Sequence, residues 1–339
     1  MLPTLYRINE ASIASDTCLP QEPAIRFIRH VGYCSTGVGS MGRYDRQLKI
    51  FGPEGQGQIR SARVGLVGCG GLGTNVATAL ASAGVGEFVI IDPDRPEESN
   101  LNRQYVYCGP VSEHDDRAKA EILSDWIGTV NPDAKVTVHV GKFDERTSEC
   151  FDGCDIMVDC LDSIGGRMAL NDYCMRTGKP LVHGAIDGFI GQVATCIPGK
   201  TPCLRCMMGS VPESGRTPSS IGAVVSAIGS LEAAEVLKLI TGRCGSAGTF
   251  LSVDLEKWHF QTIRFEHDPD CPACNRNSLK PLRGRSGGSS GSHRHVRGLQ
   301  RWNGSHGRAC TCTLNYAASR THTHEVAEFK LKKTESTAR

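Results

Sequence analysis

Arg63-Val-Gly-Leu-Val-Gly-Cys-Gly-Gly-Leu-Gly73, followed by Val89-Ile-Ile-Asp92, decides the fold of this 339-residue chain. The apolar run before Gly68 reads as a buried strand, the glycines as a turn, and the residues from Gly71 onward as a helix. Gly68 allows the tight turn, Gly70 lets backbone approach a phosphate, and Gly73 lets helix and strand pack closely. The helix opening at Gly71 aims free backbone N–H groups and a positive dipole end at an anion. Asp92 follows Gly68 by 24 residues, close to the spacing of a carboxylate that takes ribose hydroxyls. A strand, a glycine turn, a helix and an acid at the next strand end predict a nucleotide site.

The residues that follow narrow the nucleotide. Asp92-Pro-Asp94 leads into Ser99-Asn100-Leu-Asn-Arg103-Gln104 and then Lys119, and Asp155-Ile-Met-Val-Asp-Cys-Leu-Asp162 reads as another buried strand carrying a carboxylate to its C-terminal end. An arginine, a lysine and several carboxylates at the ends of neighbouring parallel strands suit a triphosphate with a metal ion better than a dinucleotide. The competing reading, in which Arg103 and Lys119 belong to a solvated face, does not account for the repeated strand-end placement.

Outward from this core, the pattern predicts strands at 63–68, 88–92, 155–159, 180–184 and 191–197, the last antiparallel. Helices are predicted at 71–83, 118–129 and 222–240, with another between Asp162 and the stop signal Thr177-Gly-Lys-Pro180. Alternating Val136, Val138 and Val140 predict an edge strand. The fold class expected is α/β, a Rossmann-like doubly wound and mainly parallel sheet with antiparallel C-terminal strands.

Cys203-Leu-Arg-Cys206 and Cys271-Pro-Ala-Cys274 have the spacing of a closed four-sulfur zinc site, structural rather than catalytic because no ligand position stays open. Thiol exchange by one pair alone is the competing reading. Sixteen cysteines in a chain without a signal-peptide-length apolar core at its start suggest free thiols and a cytoplasmic protein. Cys69 and Cys160 are expected to be small buried hydrophobes. The glycine-interrupted stretch 64–91 argues against a membrane span. Residues 276–339 carry thirteen Lys and Arg against three acids and a Gly/Ser-rich run, so they are expected to be a disordered basic tail, and nucleic acid is not the expected partner. Residues 1–42 are expected to be an N-terminal extension, leaving 43–275 as the folded domain.

From Arg43 to Asn275 the chain resembles the MoeB/ThiF/HesA family, relatives of the ubiquitin-activating enzymes. The resemblance rests on Arg43-Tyr-Asp-Arg46-Gln47, the glycine turn, Ser99-Asn-Leu-Asn-Arg-Gln104, Asp162, Ile228-Gly-Ser-Leu-Glu-Ala233 and the two Cys-x-x-Cys pairs. It implies ATP-dependent adenylation of the C-terminal Gly-Gly carboxylate of a small ubiquitin-like sulfur carrier. By the same resemblance Asp92 holds the ribose, Arg103 and Lys119 clamp phosphates, and Asp162 holds magnesium. Asn100 and Gln104 line the pocket, with Gly68, Gly70, Gly71, Gly73 and Asp94 around the nucleotide. Arg46 reaches the active site of a partner subunit, implying a homodimer. Two departures stand out: Lys119 lies a few residues further from Arg103 than the family spacing, and Asp116 stands where glycine is usual.

Some relatives carry a nucleophilic cysteine in the segment crossing the active site. Here Gly209-Ser-Val-Pro-Glu-Ser-Gly-Arg-Thr-Pro-Ser-Ser220 contains none, and Ser214 or Ser219 is a poor nucleophile without an adjacent base. Adenylation without a thioester is therefore expected. The alternatives are a non-catalytic partner half, or a same-fold enzyme activating another carboxylate or amide such as a modified tRNA base. His183 is expected to be a core histidine and Asp187 a turn former.

Overall fold

The computed structural model describes residues 42–209 and 218–274. The expectations for the N-terminal extension, the basic tail and most of the 209–220 segment, Ser214 included, lie outside the described residues.

The strands are β1 Arg63–Val67, β2 Glu87–Ile91, β3 Lys135–His139, β4 Ile156–Asp159, β5 Leu181–Asp187, β6 Ile190–Cys196, β7 Thr249–Asp254 and β8 His259–Arg264. They form one sheet in the order β3-β2-β1-β4-β5-β6-β7-β8, parallel through β5 and antiparallel from β6 onward. From β1 the chain builds outward to β2 and β3, then crosses back to place β4 and β5 on the other flank. That reversal leaves a crevice at the C-terminal ends of β1 and β4, where ligands bind in open α/β sheets.

Alternation along the central strands explains why both faces are covered. Val64, Leu66, Ile156 and Val158 enter one core with α2 (Gly71–Ala83), α4 (Lys119–Val130) and α7 (Gly222–Ile240). Val67 and Met157 enter the opposite core with α5 (Ile164–Thr177) and α6 (Leu204–Met208). A fully buried Leu, Ile or Val contributes about 1.5–3 kcal/mol, so both faces are firmly held. α5 ends at Gly178, whose left-handed backbone makes the stop anticipated from sequence.

The predicted elements appear within two residues of their expected bounds, except that β5 runs on to Asp187. The strand β4 ends at Asp159, as the expected bounds have it, so Asp162 lies in the loop before α5. The helix α1 (Asp45–Ser61) has no clear sequence signal, because Gly52 (φ +67°) and Pro53 break it into two pieces. A second such element, β8, is exposed at four of its six positions, so its backbone pairing with β7 places it rather than any alternation. Short α3 (Cys108–Ser112) completes the helices. Among the described residues, no helix is long and apolar enough to cross a membrane.

Candidate functional site

The crevice between β1 and β4 holds a cavity of about 900 Å³. Gly68, Gly70, Gly71, Asp92, Asp94, Asn100, Arg103, Gln104, Lys119 and Asp162 all line it, residues drawn from four separate stretches of the chain. Gly68 has φ +99°, and a Cβ there would sit 2.6 Å from the Cys160 carbonyl oxygen. A Cβ on Gly73 would overlap the Gly68 carbonyl. These two glycines are required by the chain's own packing.

Gly70 is different. Its φ is −76°, and an added Cβ would meet only Gln104 Nε2, at 3.7 Å. What glycine preserves there is open space at the start of α2, beside N–H groups that lack helical partners. Gly70→Ala should therefore raise the KM for a nucleotide roughly tenfold while moving stability by less than about 0.5 kcal/mol. Titration with nucleotide alongside a thermal melt checks both halves, and an unchanged KM would remove the close-approach role.

Asp92 follows β2 and is buried; its Oδ2 accepts from the Cys69 N–H at 2.6 Å and its Oδ1 from the Asp94 N–H at 2.8 Å. Burial raises its carboxyl pKa, opposed by those two N–H groups and by the Lys119 charge. The carboxylate is thus fixed in the pocket wall at the strand end. Lys119 opens α4 and is buried, with its Nζ 3.4 Å from Asp94 Oδ2. The displaced spacing noted from sequence does not remove it from the site. The Tyr107 hydroxyl donates to the Cys69 carbonyl at 2.6 Å and ties the turn to the segment before α4.

Arg103 is half-buried, and its Nη1 donates to the Ser99 carbonyl and to Asn102 Oδ1. Asn100 spends its Oδ1 on the Glu97 N–H at 3.2 Å, so it shapes the turn as well as lining the wall. Gln104 is buried, and its Oε1 has no hydrogen-bond partner among the described residues, which leaves an acceptor in the cavity wall. Asp162 is exposed at the mouth of the cavity. An exposed carboxylate in the wall of a pocket that Arg103 and Lys119 also line is a donor suited to a metal–triphosphate complex, since magnesium keeps waters and takes one or two carboxylates. Arg46 is exposed on α1 and does not line this pocket.

Sequence reasoning overlooked the layer beneath the pocket floor. Parallel pairing sets Asp159 in register with Val67 on one side and His183 on the other. His183 is fully buried, its Nδ1–H donating to Asp159 Oδ2 at 2.7 Å and its Nε2 accepting from Gln192 Nε2 at 3.1 Å. It is a core histidine, and burial lowers its pKa against the pull of Asp159. Asp159 is pushed up by burial, but Arg167, His183 and the Leu161 N–H outweigh that and hold it below the usual range. The only sequence signal was an acid and a histidine inside apolar strands. Asp187 ends β5 and accepts from the Ser219 N–H at 2.9 Å, bonding the β5–β6 turn to the end of the crossing segment.

Glu232 on α7 is completely buried in the same layer, and its Oε2 has no hydrogen-bond partner among the described residues. Burial, and then the Asp159 charge, raise its pKa well above the carboxylate range. A raised folded-state pKa means the folded protein keeps a proton that the unfolded chain releases. Stability from this group is full below the ordinary carboxylate range and falls as pH rises toward the folded value, by up to about 1.4 kcal/mol per pH unit. Glu232→Gln removes that loss. The variant should gain on the parent as pH rises above about 5 in thermal melts, whereas parallel profiles would mean Glu232 is ionised in the fold.

A second constellation lies away from the pocket. The sulfur atoms of Cys203, Cys206, Cys271 and Cys274 all lie within 4.8 Å of one another, with pairs at 3.9, 3.6 and 3.6 Å. Four sulfurs about 2.3 Å from one zinc ion in a tetrahedron stand roughly 3.8 Å apart. The cluster has the size that zinc requires. Cys69 and Cys160 are buried as expected, just past the ends of β1 and β4.

The sequence profile described as the ThiF family matches residues 44–273. The SAMP-activating enzyme E1 of Haloferax volcanii is 37% identical over 260 residues, covering 73% of this chain and 94% of that protein. The sulfur carrier protein adenylyltransferase of Thermus thermophilus is 36% identical over 247 residues, covering 68% and 90%. Among solved structures, E. coli MccB with ATP aligns with a TM-score of 0.61 at 25% identity, over 69% of this chain and 75% of that one.

Proposed function

Since this chain belongs to the ThiF family, we propose that it adenylates the C-terminal Gly-Gly carboxylate of a small ubiquitin-like sulfur-carrier protein, using ATP and releasing pyrophosphate. The observation that carries the proposal is the convergence of Asp92, Arg103, Gln104, Lys119 and Asp162 on one cavity around the glycine turn. The relatives named for sulfur-carrier adenylation and SAMP activation support the choice of substrate class.

In the reaction a carboxylate oxygen forms a bond to the α-phosphorus of ATP while the bond from that phosphorus to the β-phosphate oxygen breaks. Two anions must meet and a third must leave, so the protein's task is to position groups and stabilise charge. Asp92 takes the ribose hydroxyls at the end of β2. Arg103 and Lys119 clamp the phosphates, and Lys119 exchanges its contact with Asp94 for a phosphate oxygen. Asn100 and Gln104 line the wall, and the N-terminus of α2 faces the phosphates. Asp162 would hold magnesium, which when bound neutralises charge on the departing pyrophosphate. Arg46, exposed and outside its own pocket, serves the pocket of a second copy in a homodimer. The four-cysteine cluster would hold zinc as a structural staple. With no cysteine in the crossing segment, the carrier leaves as the acyl-adenylate rather than as a thioester.

ATP–pyrophosphate exchange by the purified protein with magnesium tests this directly. Exchange should appear only with a carrier whose terminal carboxylate is free, and vanish when the carrier lacks its last two glycines. Exchange with none of the Gly-Gly carriers, while ATP still binds, would overturn the carrier reading in favour of another carboxylate substrate.

A further inference from the structure

The loop 160–163 carries Asp162 and is held from both sides by buried groups. At its start the Cys160 N–H donates to the Val67 carbonyl at 2.9 Å. The Leu161 N–H donates to Asp159 Oδ1 at 3.1 Å, and the Leu161 carbonyl accepts from Arg167 Nη2. Both polar groups of the residue before Asp162 are therefore pinned. Arg167 is buried, with 4% of its side chain exposed, and its other terminal nitrogen donates to the Gly184 carbonyl at 2.7 Å. That nitrogen also stands 3.6 Å from Asp159 Oδ2.

A buried cation would be expensive if it lacked partners; here Arg167, which lines the cavity, spends each terminal nitrogen on a backbone carbonyl, and its Nη1 also stands 3.1 Å from His183 Nδ1. The guanidinium bridges the loop after β4 to the middle of β5, and the Asp159–His183 pair in the adjacent register positions supplies the compensating charge. The planar fork holds the two carbonyls on two separate nitrogens in fixed directions, whereas an ammonium would have to serve both from one nitrogen on a flexible stem.

We propose that Arg167, seated by Asp159 and His183, is a positioning residue that clamps the Leu161 peptide and so sets where the Asp162 carboxylate stands. The inference rests on the reading of Asp162 as the magnesium-holding residue, and it extends that reading to the residues that orient the ligand. Outer partners of this kind typically change metal affinity or activity by about 10- to 100-fold when altered.

The test is Arg167→Lys, which keeps the charge opposite Asp159 but loses the fork. Hydrogen exchange is the first readout and needs no activity. The Leu161 and Asp162 amides should exchange at least about tenfold faster than in the parent protein, with amides of β1 and β4 unchanged. In ATP–pyrophosphate exchange the magnesium concentration for half-maximal rate should rise about tenfold, while the KM for ATP at saturating magnesium stays within about twofold. Adding Arg167→Lys to Asp162→Asn should cost little beyond Asp162→Asn alone, because both act through one carboxylate. Unchanged protection of Leu161 and Asp162, or losses that multiply in the double variant, would overturn the clamp. If Arg167→Lys does not fold, Asp159→Asn unseats the same guanidinium and is read by the magnesium shift and the double variant, because Asp159 Oδ1 itself accepts from the Leu161 N–H. Parent protein without any exchange activity would sink the adenylation reading, while the protection experiment would still decide the clamp.

Discussion

Asp162→Ala should lower carrier-dependent ATP–pyrophosphate exchange by about 10²–10³-fold, equivalent to roughly 3–4 kcal/mol of transition-state stabilisation. Its thermal midpoint should stay within about two degrees of the parent's, because the side chain is exposed and stands in a loop rather than a core. The same loss of rate is expected of Arg103→Ala, whose guanidinium is half-buried. Lys119→Ala should behave differently. It removes a buried cation together with its contact to Asp94, so a fall in rate should come with a measurable fall in stability. Rates compared at saturating and limiting magnesium separate the roles. Asp162→Ala should lose most at limiting magnesium, and Arg103→Ala should lose about equally at both. Full activity in Asp162→Ala would take magnesium away from that residue, and with it the reason to look for an orienting clamp at Arg167.

Cys203→Ser is the second large effect, and it falls on the fold. If the four sulfurs hold zinc, one serine removes a strong ligand from a closed site and leaves three thiolates crowded together. The variant should lose its one equivalent of zinc by elemental analysis. It should also lose about 3 kcal/mol or more of stability, seen as a drop of roughly 10 °C in thermal midpoint. A chelator should reproduce the shift in the parent protein and have no effect on the variant. Activity per folded molecule should be nearly unaffected at low temperature, since no ligand position is open for chemistry. A parent protein free of zinc, with a melt indifferent to chelator, would turn these residues back into ordinary buried thiols.

The two effects separate cleanly because they act in distant parts of the chain's architecture. One alters a charge at the mouth of the cavity; the other opens a staple between α6 and the segment after β8. The Glu232 prediction concerns neither. It concerns a proton held in the layer that packs α7 against β5, where a Cβ on Gly184 would overlap the carboxylate.

Much of this protein was legible in its residues because the relevant signals are local. The turn at 68–73, Asp92 at the next strand end, the stop at Gly178 and the paired Cys-x-x-Cys motifs each combine residue type with short spacing, and those determine backbone conformation or ligand geometry within a few residues. They were enough for the doubly wound α/β class, for most residues of the cavity wall and for the four-sulfur cluster. The tertiary structure decided what depends on chain segments meeting. It brought Lys119 into the pocket despite its shifted spacing, and broke α1 at Gly52. It also assembled Asp159, His183 and Glu232 beneath the floor, with Arg167 reaching from them to the cavity wall. Their charges are tolerable only because strand register and helix packing give most of them partners in a place that water does not reach. No spacing rule foresees that, since the partners come from three strands and two helices that adjoin only once the sheet has formed.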